Sequence, residues 1–220
     1  MRILTLVLLL FVTSVTFGQR KIKVHEERES IGSGSNSALV ATIYESSIDE
    51  IEKSWKKLMK DYNAKVAMKK EIFADDATIK DLSSNTVDVY SFVRKAGDDE
   101  FEIVVAVDLG GAYLSSSEHS SKYKIMEKIV KEFAVQSTLD AIKEKQKAAA
   151  KILLGFTKEK DDLVRDKERL EKQIEDYKSK ISDAEKSIEK NKTDQADKEK
   201  EVENQQKIVD EIAARGKAVD

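Results

Sequence analysis

The sequence predicts an α+β protein: a small two-layer domain with an antiparallel sheet, ordered β-α-β-β-β-α, then a long C-terminal helical hairpin or coiled coil. Three observations predict it. Several segments of the first half alternate apolar and polar residues with period two, one amphipathic helix interrupts them, and from about Ser120 the period turns helical and stays so nearly to the end. Composition agrees: the chain has no Pro, 8 Gly, no Cys and 37% charged residues. That mixture suits long helices and excludes disulfides and thiolate metal sites. With 39 basic against 42 acidic residues the net charge is −3, so there is no bulk attraction to nucleic acid or anionic lipid.

Residues 1–18 carry Arg2, an apolar stretch from Ile3 to Val12, and small residues Thr16 and Gly18 ahead of Gln19. This predicts a secretory signal peptide cut between Gly18 and Gln19. The stretch is shorter than the roughly 20 residues a membrane helix needs, so no stable membrane insertion is expected after cleavage. The predicted location is exported, periplasmic or extracellular. Residues 19–37, charged and then Gly/Ser-rich, predict a flexible leader because they offer no apolar face.

The ordered domain is expected over 38–155, including the start of the long helix. "SALVATIYES" predicts a strand. Ser47 and Glu50 then have capping-box spacing, and Ile48, Ile51, Trp55, Leu58, Met59 and Tyr62 make the apolar stripe of a helix of about four turns. Three strands are expected from "AKVAMKKEIFA", "NTVDVYSFVRKA" and "EFEIVVAVDLG". In the first, Val66, Met68 and Ile72 share a face; in the third, Phe101, Ile103, Val105, Val107 and Leu109 do. "KAGDDE" between the last two predicts a hairpin turn. Met126, Ile129, Val130 and Phe133 form a stripe broad enough to lie on the sheet beside the first helix.

From Val135 the stripe narrows to a heptad seam: Leu139, Ile142, Ala149, Leu153, Phe156, Leu163, Leu170, Ile174, Tyr177, Ile181, Ala184 and Ile188. Gly155 predicts a weak point or short break, with Thr157 as a cap. Past Ile188 the same phase meets Asn191, Gln195 and Lys198 before Val202, Val209 and Ile212 resume. Three polar seam residues in a row remove the reason for helices to touch, and "NKTD" can form a turn without Gly or Pro. Residues 156–220 are therefore expected to form a hairpin arm with its tip near 191–198. A continuous helix is the competing expectation, and it would require a partner chain throughout.

Chemistry-bearing motifs are sparse. His119 beside Glu118 lacks the clustered ligands of a metal site, and the serines at Ser115 to Ser117 lack an activating base and fit a helix start capped toward Glu118. "GSGSNS" and "DLGGAY" lack the phosphate-cradle pattern. Trp55 and Tyr62 fall on an apolar helix face and are expected in the core. From Thr157 to Asp220 there are 16 basic and 19 acidic side chains, a balance that fits a solvated coiled-coil exterior and not a polybasic site. No catalytic, cofactor-binding or metal residues are expected, and no cofactor. The candidate interaction seam is Leu163, Leu170, Ile174, Ile181, Ile188, Val202, Val209 and Ile212. These features imply a non-enzymatic exported structural or interaction protein acting through its arm, adaptor or chaperone-like, by binding a protein partner or by self-association. In layout alone it is similar to the tentacled periplasmic chaperones. The alternative is a module that binds a small ligand or envelope component in the α+β domain, with the arm as spacer or dimeriser.

Overall fold

The computed structural model describes residues 21–217, and the expected signal peptide lies outside them. The elements are β1 (Val24–Ile31), β2 (Gly34–Tyr44), α1 (Ile48–Asp61), β3 (Lys65–Met68), β4 (Ile72–Ala77), β5 (Val87–Gly97), β6 (Glu100–Asp108) and α2 (Ser120–Lys217). All strands join one antiparallel sheet of order β1-β2-β6-β5-β4-β3. The α+β class, the antiparallel sheet and the long C-terminal helical segment are as expected. The chain divides into two compact units after Ala149.

In the first unit, Ser47 caps α1, its hydroxyl accepting the Glu50 N–H at 3.3 Å. Ile51, Trp55 and Met59 point from α1 onto one face of the sheet. Tyr123, Met126, Val130, Phe133 and Ala134 of α2 join them over Leu39, Ala41, Ile43, Val89, Ile103, Val105 and Val107. Alternate residues of the same strands, Ala38, Val40, Val104 and Ala106, pack on the opposite face with Ile31, Tyr90, Phe92 and Tyr113. Both faces of the central strands β2 and β6 are thus buried, so 38–41 and 103–107 are continuous apolar runs where the period-two reading expects an alternation.

Two expectations about this unit are corrected. The flexible leader does not hold for residues 24–37: β1 pairs with β2 from Val24↔Ala41 to Ile31↔Gly34. A charged strand needs no wide apolar face when its backbone joins a ladder, and here the turn is set by Gly32 at φ +65°. A side chain at Gly32 would collide with the Tyr113 hydroxyl. The run "AKVAMKKEIFA" is two strands, β3 and β4, paired Met68↔Ile72 around Lys69–Lys70–Glu71, so Met68 and Ile72 are cross-strand neighbours. As expected, α2 begins at Ser120, and just ahead of it the Ser115 hydroxyl accepts the Glu118 N–H at 3.3 Å. The expected β5–β6 hairpin is present, turning through Asp98 and Asp99 with Asp99 at φ +54°.

The second unit is α2 from Ala150 onward, and it contains no hairpin. The helix is unbroken through 191–198, and Gly155 is an ordinary helical residue. Thr157 does not cap a new helix; its hydroxyl donates back to the Leu153 carbonyl at 2.8 Å. The physical reason lies in what ends a helix. Loss of apolar seam residues removes a packing partner, but termination needs Gly, Pro or a competing cap. In the polar stretch the side chains bond within the helix instead: Gln195 Nε2 donates to Asn191 Oδ1 at 2.6 Å, Thr193 Oγ1 donates to the Glu189 carbonyl at 3.3 Å, and Lys192 and Lys200 pair with Glu189 and Asp197.

Candidate interaction surface

A heptad alternation on one continuous helix puts its apolar residues on a single stripe. All eight predicted seam residues lie on the α2 arm unit, and each is exposed. Relative exposure runs from 46% at Leu170 to 71% at Leu163, with Val202 and Ile212 at 62%. The expected contacts of Val202, Val209 and Ile212 with the Leu163 to Ile188 seam are not made, because the helix does not fold back. Phe156, Tyr177 and Leu153 extend the stripe and are also exposed. Covering one such half-exposed side chain would contribute on the order of 1–2 kcal/mol. The flanks are charged and locally paired: Arg165 with Asp162, Arg169 with Asp166 at 2.7 Å, Lys178 with Glu175 at 3.5 Å. Surface pairs at this spacing support the helix only weakly.

The first unit has an apolar groove of about 870 Å³, where Val135, Leu139 and Ile142 of α2 face Ile22 and Tyr44. Thr138, itself buried, donates to the Ala134 carbonyl at 2.9 Å and accepts the Tyr44 N–H at 3.1 Å. The Lys145 ammonium lies 2.7 Å from Glu45 and 3.8 Å from Asp99, and its hydrogen bond to Glu45 holds the amine above its ordinary range. The sequence names Leu139 and Ile142 as seam residues but gives no sign of the groove, since Ile22, just ahead of β1, and Tyr44, at the end of β2, are distant in sequence.

Elsewhere in the first unit, Asp75, Asp76 and Asp88 bring one carboxylate oxygen each within 4.8 Å of one another, the one cluster of metal-ligating type among the described residues. Two of the three carboxylates already have protein partners: Asp76 Oδ1 accepts the Thr86 hydroxyl at 3.0 Å, Asp88 Oδ1 accepts the Asp76 N–H at 3.1 Å, and Lys65 sits 3.5 Å from Asp76 Oδ2. These bonds occupy the register shift between β4 and β5 and hold Asp76 at φ +58°. Sequence reasoning misses the trio because it forms only when β4 and β5 pair. His119 and Glu118 precede α2. The Ser115 and Ser117 hydroxyls sit 3.3 Å apart with their bonds spent on the turn. Comparison with protein-family models, curated proteins and solved structures returns no match to this chain.

Proposed function

We propose that the chain is a non-enzymatic, exported structural or interaction protein that works through its helical arm, as an adaptor or in a chaperone-like way. The observation that carries this reading is the unpartnered stripe from Leu153 to Ile212 on one unbroken helix. A helix of this length with a one-sided apolar seam and a solvated, charge-balanced exterior is built to lie against another helix. Export rests on the signal-like residues 1–18. Among the described residues no helix is long and apolar enough to cross a membrane.

The test is cross-linking of the full chain in cell-envelope extracts, comparing wild type with Leu170→Glu/Ile181→Glu. The double variant should lose its cross-linked species while the first unit keeps its thermal transition. Identical cross-link patterns would sink the reading. Mass spectrometry of the exported chain should find it starting at Gln19.

The groove supports a second reading, a module for an apolar small ligand or envelope component, with the arm as spacer or dimeriser. Its apolar walls and the Thr138 and Lys145 groups at its margin have the make-up of a ligand site. Leu139→Trp would then abolish ligand binding with the arm intact.

A further inference from the structure

Resting on the arm reading above, we infer that the arm's partner is the arm of a second copy of this chain, joined in a parallel, in-register two-stranded coiled coil. The heptad positions carry the first argument. Leu153, Ile174, Ile181, Ile188, Val202 and Val209 fall at a; Phe156, Leu163, Leu170, Tyr177, Ala184 and Ile212 fall at d. β-branched residues at a with Leu at d favour two parallel strands over higher orders.

Polar positions carry the second. Lys160, Lys167 and Gln195 occupy a; Asn191, Lys198 and Gln205 occupy d. A parallel, in-register pair sets every polar layer against itself and every apolar layer against itself. Antiparallel registers do not. Placing Leu163 against Val202 sets Leu170 against Gln195 and Ile174 against Asn191. Placing Leu163 against Ile188 sets Leu153 against Lys198 and Phe156 against Gln195. Asn191 and Gln195, which bond to each other along the helix at 2.6 Å, gain an identical amide across the parallel pair, a device that fixes register.

Charge carries the third. In parallel packing an a side chain is bordered by the partner's preceding g residue, and a d side chain by the partner's following e residue. Glu159 precedes Lys160, Asp166 precedes Lys167, and Glu199 follows Lys198. Each seam lysine therefore meets an acidic group of the other copy, its stem covering the layer while the ammonium reaches outward. In the single chain these lysines hold only exposed local partners: Lys160 with Asp161 at 3.3 Å, Lys167 with Glu171 at 3.5 Å, and Lys198 with Glu201. Such pairs exchange at little cost. Lys180 at g and Glu185 at e add one cross-chain pair. The like-charged g–e pairs, Asp166 with Glu171 and Asp194 with Glu199, each contain an acid that a seam lysine of the partner engages.

Area is sufficient. Between Leu153 and Ile188, Leu153, Phe156, Leu163, Leu170, Ile174, Tyr177, Ile181 and Ile188 stand exposed. At about 100 Å² each they remove roughly 800 Å² per chain from water, the size of a standard specific interface.

The chain has no Cys, so single-cysteine variants of the full chain read register directly. Light scattering should give twice the chain mass. Leu170→Cys, and independently Leu163→Cys, should oxidise to disulfide-linked dimers, while a mass-tagged mixture of Leu163→Cys and Val202→Cys chains should give no mixed dimer. Lys167→Glu should weaken dimerisation about tenfold or more, and adding Asp166→Lys should restore it. A monomer, a trimer, a dominant Leu163→Cys/Val202→Cys mixed dimer, or no rescue by the charge swap would each overturn the inference. A monomer that still loses its envelope cross-links on Leu170→Glu/Ile181→Glu overturns the second copy alone; a monomer with unchanged cross-links overturns the arm reading as well.

Discussion

Arg94 on β5 reaches Glu29 on β1 at 2.6 Å although β6 and β2 lie between their strands in the sheet. The same guanidinium holds Glu102 at 2.8 Å and Glu27 at 3.4 Å. Neighbouring strands are about 4.8 Å apart, so a flat sheet would put Arg94 out of reach of β1; the sheet must curl, bringing β1 over its second face. The hydrogen bonds that Arg94 donates to Glu102 and Glu29 hold the guanidinium's pKa above its usual range.

Arg94→Met should therefore strand three carboxylates facing one another. With the Arg94 side chain 38% exposed, solvent screening limits the loss to about 1–2 kcal/mol. The Glu27 carboxyl lies below its ordinary range, chiefly through the His25 hydrogen bond and further through Arg94, so the difference between variant and wild type should shrink as pH falls through that lowered value. Urea denaturation at pH 7 and pH 3.5 measures it; an equal difference at both would show that the ion pairs do not hold β1.

Phe133 and Phe156 lie on the same helix and differ in what a truncation should do. Phe133 meets Trp55 edge-to-face at 4.8 Å and is 8% exposed, whereas Phe156 is 64% exposed. Phe133→Ala should cost the first unit about 3–5 kcal/mol, the range for an emptied aromatic site. Phe156→Ala should leave that unit's transition within about 0.5 kcal/mol. Trp55 is the only tryptophan, so its fluorescence follows this unit alone. Equal midpoints for the two variants would sink the assignment of Phe133 to the core.

Burial, with Glu26 and Glu127 adding to it, pushes the Tyr123 phenol up to about 12. The folded state therefore keeps the proton that the unfolded state gives up from 10 onward. Stability should fall as pH rises from 10 to about 12, with a slope set by up to one proton. Burial also raises Tyr62 and Tyr90, so wild type alone does not isolate the group. The difference between wild type and Tyr123→Phe does: the variant's stability should decline less across that window. Parallel declines in Trp55-monitored denaturation would remove Tyr123 as the cause.

Features legible in the sequence were those whose causes are local. Ser47 and Glu50 are three residues apart and cap α1; Asp98 and Asp99 turn between strands that alternate visibly; the seam from Leu153 to Ile212 is a spacing. What stayed hidden depends on distant partners. Glu27 and Glu29 look like solvated leader charges until Arg94, 65 residues from Glu29, meets them. The Lys69–Glu71 turn carries no Gly or Pro, so β3 and β4 read as one strand. The groove and the Asp75, Asp76 and Asp88 cluster exist only once strands have paired. At Asn191 the apolar pattern and the backbone give opposite answers. The polar seam marks where packing weakens, while a segment without Gly or Pro keeps its helical hydrogen bonds.

That last conflict is open to direct measurement. Lys172 and Lys207 lie on the side of the arm away from the seam, 35 residues apart, so spin labels there leave the stripe untouched. A continuous helix holds their backbones about 53 Å apart at 1.5 Å per residue. A hairpin turning near 191–198 would bring them to roughly 10–20 Å, the scale of two packed helices and their side chains. Diluting doubly labelled Lys172→Cys/Lys207→Cys chains with excess unlabelled chain removes distances between copies. A single long distance should remain, and Asn191→Gly, which costs helix stability at the polar stretch, should broaden it without creating a short one. A population near 15 Å in the wild-type chain would return the arm to a hairpin and bury Val202, Val209 and Ile212 within one copy.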